Sequence, residues 1–330
     1  MPDQPSPTVT VRPAPELRLR ETDCNSPVHR DAGTLYVFNS IGQPWRSSGP
    51  DLEHLDTTGL AVAYDNDVSG ARWIEATWRD DDGTLWGWYH NEPLEIVPEV
   101  TERCLTAPRI GAIVSEDNGA TWRDLGFVLE EPAASLRRDT RNFYFAGGNG
   151  DFCVNVDRDG GLVYFMISAY GDPAEQGVAV ARMALADRRA PAGRVTKWRG
   201  GRWDEPGIGG RVSPIFPAAI DWHRDDADAF WGPSVHWNTH LTCWVMLLNR
   251  ACDRDWKQEG IYVSFNADIG DPEGWTAPVR ILDAPFEPGW YPQVIGDGPD
   301  GTDKLARASA RLFVHGISRW TVEFHRPGEG

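Results

Sequence analysis

Five times along the chain, an alternating apolar run ends in a short polar turn and returns as a strand rich in large apolar residues. NSPVHRDAGTLYVFNS (25–40) turns at Asp31-Ala32-Gly33, WIEATWRDDDGTLWGWYHNEP (73–93) at Asp82-Gly83, and GGNGDFCVNVDRDGGLVYFMISAYGD (147–172) at Asp159-Gly160. WGPSVHWNTHLTCWVMLLNR (231–250) turns at Asn238-Thr239-His240, and the stretch 291–318 makes a longer turn before Arg311-Leu312-Phe313. Asp-Gly between strand-like runs signals a hairpin, because a tight turn needs residues that tolerate positive φ. The returning strands begin near residues 34, 84, 161, 242 and 311, a spacing of roughly 50 to 80 residues.

A Gly followed by another alternating strand comes after each of the first four hairpins: TGLAVAYD from Thr58, IGAIVSED from Ile110, QGVAVARM from Gln176 and EGIYVSFN from Glu259. Two hairpins per unit make a four-stranded antiparallel sheet. Five such sheets in sequence predict an all-β, five-bladed β-propeller, which leaves only short, protected edges. A β-sandwich is the competing arrangement. Helix signals are nearly absent: PAASLRRDTRN (132–142) offers one turn, and MALADRRAPAG reads as a loop. The fifth unit lacks an obvious second hairpin. Residues 1–20 are therefore read as an extension whose TVTVRPAPELRL segment supplies a closing strand, and residues 21–330 as one propeller domain.

In such a ring the innermost strands start, and the second strands end, on one face, while the Asp-Gly turns lie on the other. The starts present Asn25, Ser26, Glu75, Asp151, Trp231, Ser234, Tyr291 and Gln293. The ends present Asn39, Ser40, His90, Asn91, Glu92, Tyr170, Asp172, Asn249, Arg250, Ser318 and Arg319. Glu75 and Asp151 open strands expected to be buried, where a bare charge is costly without a partner or a role. A carboxylate at a strand start also serves as an ordinary turn cap, and for either residue alone that reading competes.

Sixteen tryptophans serve either as sugar-stacking surfaces or as core mass. A net charge of −17 argues against nucleic acid and anionic membranes as partners. Cys24, Cys104, Cys153, Cys243 and Cys252 show neither CxxC nor metal-finger spacing, and their odd number gives no disulfide framework. The N-terminus lacks a signal-peptide pattern and no apolar run approaches membrane-spanning length. The expectation is a cytoplasmic protein, or a secreted one if a leader has been removed.

SEDNGATWRDLG (115–126) resembles the Asp-box turn of sialidases and related propellers: Asp117 would accept backbone N–H groups, Gly119 take positive φ, and Trp122 plug between strands. The arginine triad of sialidases is not identifiable. Across roughly residues 20–325, the strand starts resemble those of the five-bladed glycosidases of the arabinanase, β-xylosidase and invertase superfamily. Trp73-Ile74-Glu75-Ala76 matches the second-blade motif and Asp151 the third-blade start. Ser26-Pro27 stands where the superfamily offers Asp-Pro, and Trp231-Gly232-Pro233 where it offers Glu before Gly-Pro. With those two acids replaced, Asp23 or Glu92 would have to stand in.

The resemblance implies a glycoside hydrolase acting on a furanoside or small oligosaccharide. Such hydrolysis needs two carboxyl groups, one protonated and one ionised. The expected pair is Glu75 and Asp151, assisted by His90 and Glu92. Trp231, Trp88 and Tyr291 form the sugar platform, and Asn25, Ser26, Tyr170, His236 and Gln293 complete the binding set. Arg109 either pairs an acid or holds an anionic substrate group. The alternative is a non-hydrolytic propeller that binds a sugar or catalyses an acid–base rearrangement or cyclisation. His29, His90 and His236 have no HxxxH or HxH spacing, so neither a metal nor another cofactor is expected. No Gly-x-Ser-x-Gly elbow supports a serine hydrolase.

Overall fold

The turns that punctuate the sequence close hairpins. Ala32 and Gly33 both take positive φ, 47° and 84°, which matches the twist of flanking strands. They join Val28–Asp31 to Thr34–Ser40 in antiparallel register. Ala71–Arg79 likewise pairs Leu85–Glu92, and Asn149–Asp157 pairs Leu162–Ala169. Ala229–Asn238 pairs Cys243–Ala251, and Pro292–Gly296 pairs Ser309–Val314. These hairpins form the inner halves of five sheets arranged as a five-bladed propeller. The computed structural model describes residues 6–94, 105–283 and 289–329.

Two outer strands complete each blade. They are Pro44–Gly49 and Asp56–Ala61 in blade 1, Arg109–Ser115 and Thr121–Leu129 in blade 2, and Gly177–Ala184 and Thr196–Arg199 in blade 3. Blade 4 uses Gln258–Asn266 and Val279–Asp283. Blade 5 is built from distant parts of the chain: Ile317–His325 pairs antiparallel with Thr8–Arg18. Short additions raise three sheets above four strands. Ala63–Tyr64 joins blade 2, Arg202–Pro206 and Phe216–Pro217 join blade 3, and Leu305–Ala306 lies parallel to the inner strand of blade 4.

Several local expectations change. TGLAVAYD is not the third strand of blade 1: its first part ends the fourth strand, and Ala63–Tyr64 crosses to blade 2. The third strand is the polar PWRSSG, whose outer position demands little apolar alternation. MALADRRAPAG contains a short 3₁₀ turn, Leu185–Arg189, and residues 132–142 contain another, Ala133–Ser135. Ser318 and Arg319 do not end the second strand of blade 5, which stops at Val314; they belong to its third strand. Cys24, Cys153, Cys243 and Cys252 are free thiols, and Cys104 lies outside the described residues.

The core is divided into seams between blades. Phe38 of blade 1 meets Ile74, Tyr89 and Trp122 of blade 2; Trp88 and Ile110 of blade 2 meet Phe152 and Phe165 of blade 3. Met166 and Val178 meet Val235 and Met246, Val245 and Val263 meet Val294 and Leu312, and Ile295 and Phe313 meet Val28 and Val37. The 115–122 turn anchors the first seam. Asp117 accepts from the backbone N–H groups of Ala120 and Thr121, both at 2.9 Å, and Trp122 lies edge-on to Phe38 at 5.9 Å. Gly119 has φ +82°, and a Cβ there would stand 2.3 Å from Phe38. A further cluster, Phe145, Tyr170, Trp222, Trp231, Trp256 and Tyr291, belongs to no seam and surrounds the mouth.

Candidate functional site

The inner strands do not enter the mouth as regular strands. The ladder slips between Ile74 and Ala76 in blade 2, between Gly150 and Cys153 in blade 3, and between Trp231 and Ser234 in blade 4. Bulges of this kind re-aim a side chain. Asp151 sits on its bulge at φ +41°, Gly232 at +56°, and Tyr291, just before the blade 5 strand, at +57°. A non-glycine residue at positive φ costs of order 1–3 kcal/mol and persists only where its surroundings enforce it. Asp151 and Tyr291 are joined directly: the Tyr291 hydroxyl donates to Asp151 Oδ1 at 3.3 Å.

Asp23, Glu75, His90, Glu92 and Asp151 line one cup, walled by Trp73, Tyr144, Phe145, Trp231, Trp256, Trp290 and Tyr291. Glu75 is 1% exposed; its Oε2 accepts from the Phe152 N–H at 2.8 Å and its Oε1 lies 3.2 Å from His90 Nδ1. His90 Nε2 lies 3.2 Å from Glu92 Oε1. Burial opposes a charged imidazole here, but the hydrogen bonds to Glu75 and Glu92 and the charge of Asp151 outweigh it and hold His90 well above its ordinary range. That direction favours a protonated ring, which can donate from Nδ1 to Glu75 and from Nε2 to Glu92. The Asp151 N–H also lies 3.2 Å from Nδ1, a contact that becomes a hydrogen bond only when that nitrogen is unprotonated.

Burial pushes the Asp151 carboxyl up to about 7; the Glu75 charge adds to this, while His90 and the Tyr170 hydroxyl pull against it. Tyr170 donates to Asp151 Oδ2, and Ser168 Oγ donates to the Asp151 carbonyl at 3.0 Å. Burial and then the Glu92 charge raise Asp23 to about 6. The result is a chain of carboxyl groups about one imidazolium, with one member poised to carry a proton near neutrality.

Donor atoms of Glu75, His90 and Asp151 all lie within 4.8 Å of one another, close enough to share a metal ion. Each is already bonded within the protein: His90 to Glu75 and Glu92, and Asp151 to two tyrosine hydroxyls. The set satisfies itself by sharing protons.

Other expected site residues lie elsewhere. Trp88 is 2% exposed and packs edge-on to Phe165 at 5.9 Å in the seam between blades 2 and 3, so it is not a platform. Arg109 stays outside the cup, bonded to Asn91 at 2.9 Å and Glu130 at 3.5 Å, its guanidinium 3.7 Å over Phe127. Asn25 bridges blades 3 and 4 through the carbonyls of Phe152 and Pro233, both at 3.1 Å. The Ser26 N–H donates to Gln293 Oε1 at 2.5 Å, and Gln293 Nε2 returns a bond to the Ser26 carbonyl at 2.8 Å. These residues tie blades together and do not line the cup. The three histidines do not converge either. His29 bonds Asn118 at 3.3 Å, and His236 is buried edge-on to Phe324, where burial depresses it to about 3.

Trp73, Tyr144, Phe145, Trp256 and Trp290 were missed as cup residues. All but Trp73 come from segments outside the strands, where no periodicity flags them. The available signal was clustering: Phe143-Tyr144-Phe145 and Trp290-Tyr291 immediately precede inner strands. The walls leave a cavity of about 50 Å³. At roughly 10–15 Å³ of such space per water, it holds about three to five.

No protein-family model matches the sequence, and no curated protein matches it. Solved structures do match in fold. The endo-arabinase from Bacteroides thetaiotaomicron VPI-5482 is 12% identical over 96% of each chain, with a TM-score of 0.55. The catalytic domain of the Coprinopsis cinerea GH62 α-L-arabinofuranosidase is 12% identical over 98% of each chain, at 0.53. The Cellvibrio cellulosa α-L-arabinanase complexed with arabinohexaose is 13% identical over 94% of this chain and 95% of that one, at 0.53. At such identities the likeness is one of architecture, and the chain has the five-bladed propeller fold seen in these arabinan- and arabinofuranoside-cleaving enzymes.

Proposed function

We propose that the protein is a glycoside hydrolase acting on a furanoside or small oligosaccharide, with Glu75 and Asp151 as its carboxyl pair. The observation that carries this reading is the Asp151 carboxyl, raised to about 7 and held within 4.8 Å of Glu75 at the base of an aromatic cup. Near neutrality Asp151 retains a proton to give to the departing oxygen. Glu75, accepting from Phe152 N–H and His90, serves as the carboxylate on the opposite role. Retaining glycosidases place such groups about 5–5.5 Å apart and inverting ones farther, so the close spacing favours retention. Trp231 and Tyr291 supply ring faces for the sugar, and Asp23 and Glu92 hold its hydroxyls. The Cellvibrio arabinanase, a fold neighbour, binds arabinohexaose, which supports the furanoside class.

The test is a screen of aryl glycosides and of arabino-, fructo- and xylo-oligosaccharides, with the product anomer followed by NMR. Hydrolysis with retention supports the assignment. Absence of turnover on every class, or unchanged rates in Glu75→Gln and Asp151→Asn, overturns it.

A second reading, acid–base rearrangement or cyclisation of a small molecule without hydrolysis, draws on the narrow cavity and on Ser26 and Trp231 standing where the glycosidase pattern offers acids. Substrate turned over without incorporation of solvent oxygen from labelled water would favour it.

A further inference from the structure

Each described residue that lines the cup is either aromatic or ionisable: seven rings, four carboxyl groups and His90. Lysine, arginine, amides and aliphatic hydroxyls are absent from that set. The Tyr291 hydroxyl is already given to Asp151. Even with His90 cationic, the cup has three more carboxyl groups than cations among these residues.

The rings form walls set at near right angles. Trp231 and Trp256 have centroids 4.4 Å apart at 87°, and Trp231 and Tyr291 are 5.4 Å apart at 81°. Tyr144 meets Trp290 at 88° and Trp256 at 79°. Aromatic rings attract ammonium groups through their negative faces, and seven rings wall the cup. Two indole N–H groups among the walls, those of Trp231 and Trp73, have no acceptor, and Trp231 is 1% exposed.

We infer that the cup selects a small organic cation, a protonated or quaternary amine. The inference rests on the reading of this cup as the functional site and narrows the class of molecule it accepts. An amino-substituted glycoside, or a glycoside of an amino alcohol, would reconcile it with hydrolysis; an amine undergoing acid–base rearrangement would fit the second reading.

The direct test compares choline with 3,3-dimethyl-1-butanol, which has the same shape without the charge. Binding is measured by calorimetry on the full chain, and the indole ¹H–¹⁵N resonances of Trp73 and Trp231 report the location. Choline is expected to bind at least about tenfold tighter than the alcohol, given the strength of desolvated cation–π contacts. Glu92→Gln and Asp23→Asn, both at less buried positions, should each weaken choline severalfold and leave the alcohol unchanged. Equal affinity for the two probes, choline binding that leaves both indole resonances in place, or binding of zinc or calcium while choline is refused, each overturns the inference. The wild-type comparison decides the matter even if a variant folds poorly. The glycoside screen is a separate readout: choline binding without glycoside turnover removes hydrolysis and keeps the cation site, and turnover without choline binding does the reverse.

Discussion

Blades 2 and 3 reach the mouth on the same kind of irregular strand start as blade 4, yet only they carry a carboxyl group there. In blade 2 the slip falls at Glu75 and in blade 3 at Asp151, and both side chains enter the cup. In blade 4 the slip falls at Gly232, which has no side chain, and the flanking Trp231 contributes an indole wall. Blade 1 differs again: Ser26 is drawn into a neutral network with Gln293 and Asn39, and the acid comes from Asp23, three residues earlier. A common backbone device thus serves unlike ends. The chemistry is lopsided, concentrated where blades 2 and 3 meet, while blades 1, 4 and 5 supply walls and fastenings.

If that asymmetry is functional, the largest effects belong to Glu75→Gln and Asp151→Asn. Each should lower turnover by about 10²- to 10⁴-fold, the usual range for a positioned acid or base. Initial rates, with circular dichroism to verify folding, check this. Asp151→Asn has a second signature. A carboxyl at about 7 in the folded chain, against 3.8 for the ordinary group, makes the native state bind more protons than the unfolded state between those values. Wild type should therefore lose stability relative to Asp151→Asn as pH rises from about 4 to about 7, measured by denaturant melts.

A smaller change is expected from Tyr170→Phe. The hydroxyl lowers the Asp151 value, so its removal raises it. Activity that requires protonated Asp151 falls as pH rises through about 7, and in the variant this falling limb should move to higher pH. A limb that stays in place or moves down would detach Tyr170 from the proton economy of the cup.

Blades 1 and 4 should respond in stability before rate. Gly232→Ala places a Cβ 2.6 Å from Asn249 Nδ2 at φ +56°, and a loss of roughly 1–3 kcal/mol in denaturant unfolding follows. Least of all, Ser26→Ala removes the acceptor for Asn39 Nδ2 at 2.9 Å, a cost of about 1 kcal/mol. Its turnover should remain that of wild type; a large rate loss would show that blade 1 carries chemistry after all.

The fold was legible because its hairpins announce themselves twice, by alternation and by turns such as Ala32-Gly33 that need positive φ. Legibility failed in the outer half of blade 1. PWRSSG is a strand by pairing alone, whereas TGLAVAYD alternates although most of its residues are exposed. In the cup, Glu75 and Asp151 could be placed together because strand starts share a face. The bulges that aim them could not be read, since nothing local in Ile74-Glu75-Ala76 marks a slip. Trp88 was misplaced for a related reason. It shares strand parity with His90 but lies two residues deeper, inside the seam against Phe165. The aromatic walls escaped because Tyr144, Phe145, Trp256 and Trp290 come from connecting segments that obey no period.

The pairing of Thr8–Arg18 with Ile317–His325 has a temporal side. During synthesis on a ribosome, Thr8–Arg18 is made early and its partner Ile317–His325 late, so the first four blades can condense before the fifth is paired. Tyr291 donates to Asp151 from the start of that last blade. Removing Thr8–Arg18 should therefore strip the outer edge of the fifth sheet and lower the denaturant midpoint of unfolding.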